Sequence, residues 1–189
     1  YEKCFGSFTY EASSPKVNAE HLYDIASLTK TTGTLLAVMK LYDEGKFGLT
    51  DPISKYVPAM KGSRKGKITI EDLLYHQSGL PGSWPFYREA INDSSYTGGF
   101  FKGRIDANHH LRVDRRLYVV DDFKYKEEYL SGARSEAYPL QVSENLFVSP
   151  DFPKRMLEMI ASDEIPLRDR RYRYSCLNFV LLKEMVENI

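Results

Sequence analysis

The chain has 189 residues, enough for one large domain or parts of two around a real hydrophobic core. Lysine plus arginine balance aspartate plus glutamate at 26 each, so no net field draws nucleic acid or an anionic membrane, and no apolar run is long enough to span a bilayer. The two cysteines, Cys4 and Cys176, make no disulfide framework and are read as free thiols.

Residues 1–11 alternate aromatic and polar side chains around Gly6 and are expected to form a strand. Residues 22–45 predict an amphipathic helix with Leu28, Leu35, Leu36, Met39 and Tyr42 on one face and Gly45 as its stop. Asp51-Pro52 resembles a helix start with proline at the first position. Residues 68–77 predict a second helix, with Thr69 and Asp72 approximating a capping box and Gly79 ending it. From 83 to about 169 the pattern loosens. Phe100, Phe101, Leu117, Tyr118, Val119 and Val120 suit short strands or extended stretches, and 153–160 a short helix. Residues 170–189 bring Tyr172 and Tyr174, then a strong helix with Leu177, Val180, Leu181, Leu182, Met185 and Val186. No internal repeat, Gly-Ser linker or low-complexity tract is read. The chain opens in a strand-like run and closes inside an apolar helical pattern, which predicts a piece of a larger polypeptide.

Ser27-Leu28-Thr29-Lys30 is the stretch that carries chemistry. Three residues of separation on a helix put a hydroxyl beside an amine. Partial burial would lower the lysine pKa, so that the amine could accept the serine proton. The Ser27 N–H at a helix start could stabilise an oxyanion. The expected reaction is acyl transfer through a serine ester. Ser13-Ser14-Pro15-Lys16 has the same spacing, but Pro15 and its polar neighbours argue for a turn in which the two side chains do not meet.

Several segments together resemble the serine β-lactamase and penicillin-binding-protein family, closest to its class C-like branch of D-alanyl-D-alanine carboxypeptidases and esterases. Tyr23-Asp24-Ile25-Ala26-Ser27-Leu28-Thr29-Lys30 is similar to the nucleophile segment, with a small residue before the serine. Gly48-Leu49-Thr50-Asp51-Pro52-Ile53 and Tyr56-Val57-Pro58 resemble the stretch that follows. The run from Ile68 through His76-Gln77-Ser78-Gly79-Leu80-Pro81 resembles the helix and His-x-Ser-Gly-Leu segment, and Tyr174-Ser175-Cys176 falls where the family has Tyr-Ser-Asn or Tyr-Ser-Asp.

The resemblance implies an α/β (α+β) fold, with an antiparallel sheet packed on helices plus a mostly helical or irregular lobe. Residues 1–45 and 170–189 would be parts of the catalytic domain and 46–169 the lobe, with the C-terminal strands absent from this sequence. It implies Ser27 as the acylated nucleophile, Lys30 as its activator and Tyr174 as a proton relay; a phenol ordinarily titrating at about 10 would need the lysine charge to act as a base. It implies no cofactor or metal, a β-lactam, D-amino peptide, ester or peptidoglycan-like substrate, and an extracytoplasmic location. Cys176 departs from the family's amide or carboxylate, and a thiol is a weak donor and acceptor; it is read as a substrate-side residue, a reactive thiol or a packing cysteine. The family's last strand motif, which supplies the other oxyanion N–H, has no counterpart here, so the isolated fragment is expected to be inactive.

Other residues keep two readings. Tyr174 alone could be a core aromatic. Trp84, with Pro85, Phe86 and Tyr87, could wall a substrate cleft or fill the core. Arg168, Arg170, Arg171 and Arg173 could steer a carboxylate or form a solvated face paired with Asp163 and Asp169. His76 is read as structural, and His109-His110 as a solvated loop, not a metal site. A non-catalytic binding module of the same ancestry, appended to a larger protein, is the alternative to an enzyme, and Cys176 is the feature in its favour.

Overall fold

A computed structural model describes residues 1–189. The class is mixed α/β with small antiparallel sheets. Four α-helices carry the main core: α1 (Leu35–Asp43), α2 (Ile70–Leu74), α3 (Asp151–Ala161) and α4 (Cys176–Asn188). Their apolar stripes, with short 3-10 turns at 53–60, bury one cluster of 18 residues, including Val38, Ile53, Met60, Ile70, Leu73, Ile160, Leu177, Leu181 and Met185. None of the helices is long and apolar enough to cross a membrane.

Capping chemistry sets several boundaries. The Thr69 hydroxyl accepts from the Asp72 N–H and the Asp72 carboxylate from the Thr69 N–H, the reciprocal box expected at α2. The helix stops earlier than Gly79. The His76 N–H donates to Leu73 O and the Gln77 N–H to Asp72 O, with His76 at φ +55°. That is a Schellman turn whose left-handed residue is histidine instead of glycine. Gly79 (φ +81°) serves another purpose: a Cβ there would lie 2.5 Å from the Arg168 carbonyl oxygen, so only glycine lets the two backbones close.

At the end of α3 the Lys65 side chain is fully buried. Its ammonium donates to the carbonyls of Ile160, Ser162 and Ile165, filling all three donors, and the Ser63 hydroxyl takes the Ala161 carbonyl. A cation at a helix C-terminus also meets the negative end of the dipole.

The N-terminal expectations change. Residues 1–11 form no strand; one isolated bridge, Ser7 to Lys16, is all that pairs there. The helix predicted over 22–45 begins only at Leu28 and passes through a π-turn (Lys30–Thr34) into α1. Ala26 at φ +43° breaks the helix path before it. The Thr31 and Thr32 hydroxyls both bond the Leu28 carbonyl, each at 2.9 Å, offering that group partners other than a backbone N–H. The expected apolar face is largely uncovered: Leu28 is 61% and Met39 56% exposed, while Val38 turns into the core.

All eight strands lie in 91–148, and six of them form an unexpected internal repeat. β1 (Ile91–Asn92) pairs with β5 (Lys124–Tyr125). β2 (Phe101–Lys102), β3 (Leu111–Asp114) and β4 (Leu117–Val119) make a sheet ordered β2-β4-β3. β6 (Leu130–Ser131), β7 (Leu140–Ser143) and β8 (Leu146–Val148) make another ordered β6-β8-β7. Five residues of the first recur 29 positions later: Gly103 and Gly132, Leu111 and Leu140, Val113 and Val142, Leu117 and Leu146, Val119 and Val148. The registers repeat too, Leu111 opposite Val119 and Leu140 opposite Val148, with the same irregularity before the turn. The reading of no repeat is thus corrected. Differing turns, Asp114-Arg115-Arg116 against Ser143-Glu144-Asn145, hide a duplication carried by a few apolar positions and a glycine.

His109 is buried in the first unit instead of lying in a solvated loop. Its Nε2 meets the Gly99 carbonyl at 2.7 Å and its Nδ1 the Asp106 carboxylate at 2.8 Å. These two partners, the Gly99 carbonyl first, raise its pKa above the ordinary 6.5. A histidine raised on folding stabilises fully below the unfolded value and loses that contribution as pH rises through the folded one. Amide hydrogen exchange of β2–β4, corrected for intrinsic rates, should therefore show more frequent opening at pH 8.5 than at pH 6; equal protection would contradict the charged imidazole.

Candidate active site

The turn before α1 is built around Ala26. Asp24 Oδ1 accepts from the Ala26 N–H at 2.7 Å, and successive bonds from Leu28 N to Ile25 O, Thr29 N to Ala26 O and Lys30 N to Ser27 O wind the chain tightly. The left-handed Ala26 stores strain of about 1 kcal/mol and lifts Ser27 to the surface. The Ser27 N–H has no acceptor within the protein. The decoy Ser13-to-Lys16 segment is a turn, with the Ser14 hydroxyl accepting from the Thr9 N–H.

Tyr174 reaches the same serine from the other end of the chain. Its Oη donates to Ser27 Oγ at 2.8 Å across 147 positions, and Lys30 Nζ donates to the same oxygen at 3.3 Å. Lys30 Nζ also lies 5.5 Å from the Tyr174 ring centroid. The three groups face a shallow cavity of about 300 Å³, shared with Ile25, Leu28, His76 and Phe179.

The charge state of Lys30 differs from the sequence expectation. Desolvation is the largest single influence and lowers its pKa, but the interactions with Tyr174 and Cys176 together outweigh it, so the net direction is upward. The amine is half-buried at the rim of an open site, where burial is too slight to win. Lys30 is therefore a cation at neutral pH.

The segment carrying Tyr174 is clasped by the loop after α2. Arg168 N–H donates to Gly79 O, Arg173 N–H to His76 O and Cys176 N–H to Gly82 O, each at 2.8 Å. The Ser175 hydroxyl takes Pro81 O at 2.7 Å, and the Ser175 N–H donates to His76 Nδ1 at 3.1 Å. Asn178, fully buried on α4, donates from Nδ2 to Leu73 O, and its Oδ1 accepts from the Ser78 hydroxyl at 2.6 Å. It faces the core, away from the serine. His76, read as structural, holds the Ser175 backbone N–H with its ring, a contact for which the sequence offered no spacing signal.

Cys176 is half-buried, opens α4, and lines a second cavity of about 450 Å³ with Thr29, Lys30, Met156 and Val180. Trp84 is not brought to the serine; it packs against the helical core and borders neither cavity. The arginine cluster is largely paired: Arg170 with Asp72 at 3.0 Å, Arg171 and Arg173 with Asp169, while Asp163 pairs with Arg64 instead. His110 is held by Asp121. No group of three or more His, Cys, Asp or Glu side chains is arranged to hold a metal.

The chain belongs to the Beta-lactamase family, whose pattern it matches over residues 5–189. It is similar to an N-acetylmuramyl-L-alanine amidase of Bacillus subtilis (strain 168), 37% identical over 78 residues, 38% of this chain and 18% of that protein. It is also 37% identical over 87 residues to putative D-alanyl-D-alanine carboxypeptidases of Salmonella typhimurium and Salmonella heidelberg, 43% of this chain and 20% of each relative. The chain thus spans about a fifth of the length of the curated relatives it matches. No solved structure matches it.

Proposed function

We propose that Ser27 is the acylated nucleophile of a serine hydrolase acting on a D-amino peptide, β-lactam or ester. The observation that carries this reading is the convergence of Tyr174 Oη and Lys30 Nζ on Ser27 Oγ. Ser27 Oγ attacks the acyl carbon; the new C–O bond forms as the carbonyl π pair moves onto its oxygen and the serine proton passes to Tyr174 Oη, which enters the step as the phenolate because Lys30 is already protonated. The free Ser27 N–H stabilises the oxyanion. The amine or alcohol departs with a proton from the pair, and water then hydrolyses the ester. Lys30, held cationic, offsets the negative charge that builds as the proton leaves the serine.

Relatives named for D-alanyl-D-alanine carboxypeptidase and muramyl amidase activity favour a peptidoglycan-like substrate and an extracytoplasmic location. In this reading the intact polypeptide carries the remaining strand and the second oxyanion donor, and Cys176 borders the substrate. The test is labelling of the intact polypeptide by a fluorescent penicillin or fluorophosphonate. Ser27→Ala is expected to abolish labelling while the fold persists. An intact, folded polypeptide that takes up neither probe would favour the non-catalytic binding module.

A further inference from the structure

We infer that His76 is a positioning residue for Tyr174, gripping the chain on both sides of it and releasing the Ser175 side when the imidazole is protonated. This rests on the reading of Ser27 and Tyr174 as reacting groups. The Arg173 N–H, just before Tyr174, donates to the His76 carbonyl at 2.8 Å, and the Ser175 N–H, just after it, donates to His76 Nδ1 at 3.1 Å. Between these two bonds the imidazole packs on the phenol itself, with ring centroids 4.8 Å apart. One residue thus fixes both flanks and a face of the side chain that reaches Ser27.

The backbone supports a role for this side chain. His76 occupies the left-handed position of the turn closing α2, where glycine would avoid a penalty of about 1 kcal/mol. Accepting from Ser175 leaves Nδ1 without a proton, and Asn178 Nδ2 lies 3.2 Å from the same nitrogen. A proton on Nδ1 would set an N–H against the Ser175 N–H and break the ring's half of the grip, leaving the backbone bond from Arg173.

The surroundings keep the imidazole neutral. Desolvation first, then the Lys30 charge, lower its pKa below 6.5. The titratable groups around it are Lys30 from the turn before α1 and Tyr172 and Tyr174 from the clasped segment; α4 contributes Asn178 and Phe179, which do not titrate. Acid should therefore loosen Tyr174 before it disturbs the core.

The test compares wild type, His76→Gly and His76→Asn in the intact polypeptide. Glycine relaxes the backbone, so the thermal midpoint should hold or rise while Ser27 labelling by a fluorophosphonate falls about 100-fold, the cost of a misplaced reacting group. Asparagine tolerates the left-handed backbone and offers an acceptor, so it should recover part of the rate but lose the acid limb of the pH profile. Ring-13C tyrosine NMR, with Tyr174 assigned from Tyr174→Phe, reads the grip without catalysis. The wild-type Tyr174 signal should shift at one midpoint below 6.5, and that shift should vanish in both variants. A wild type that shows this titration but never labels keeps the grip and removes the hydrolase reading. A Tyr174 signal indifferent to His76, with both variants labelling at the wild-type rate, overturns the inference.

Discussion

Lys65→Met is expected to remove about 4 kcal/mol of stability, a large share of the 5–15 kcal/mol typical of a domain. Methionine nearly matches the lysine stem in length, so packing around the fully buried side chain would change little. What would be lost is the donor group. The carbonyls of Ile160, Ser162 and Ile165 would remain inside with no N–H to meet them, at roughly 1–3 kcal/mol for each left unsatisfied. Desolvation pulls the Lys65 ammonium below the usual lysine range, with the Asp163 and Glu164 charges opposing it. Urea unfolding should show a lower midpoint with an unchanged slope. A loss under 1 kcal/mol would mean that water replaces the ammonium and that α3 does not depend on it.

Tyr174→Phe should slow acylation of Ser27 about 1,000-fold, within the range for removing a positioned proton-transfer group. The phenyl ring keeps its packing on His76 and its place beside Lys30, so the thermal midpoint should stay near wild type. The 2.8 Å bond from Oη to Ser27 Oγ disappears, and with it the interaction of Oη with the Lys30 ammonium. Second-order rate constants with a fluorescent penicillin measure the effect. A variant within threefold of wild type would leave Lys30 to move the proton alone, at odds with its raised pKa.

Local chemistry was legible in the sequence; long-range chemistry was not. The Thr69 and Asp72 box and the apolar run of α4 depend on neighbours a few residues apart, and both stand where the pattern set them. Ser27 and Lys30 are likewise local. Tyr174 could be tied to them only through the resemblance, because nothing in 147 intervening positions encodes the meeting. Ala26, Thr31 and Thr32 overrode helical periodicity before α1, since a left-handed residue and hydroxyls bonding the Leu28 carbonyl compete with the regular ladder. The charge of Lys30 also escaped the sequence: burial lowers it and Tyr174 and Cys176 raise it, and only their placement decides the sign. The 29-residue repeat stayed hidden because its shared positions are few and its turns differ.

The central claim is that Ser27, not the neighbouring Cys176 thiol, takes the acyl group. Peptide mass mapping of the intact polypeptide after brief exposure to a penicillin tests it most directly. One adduct of the full penicillin mass is expected on the peptide containing Ser27, absent after Ser27→Ala and retained after Cys176→Ser. An adduct on the Cys176 peptide that survives Ser27→Ala would contradict it.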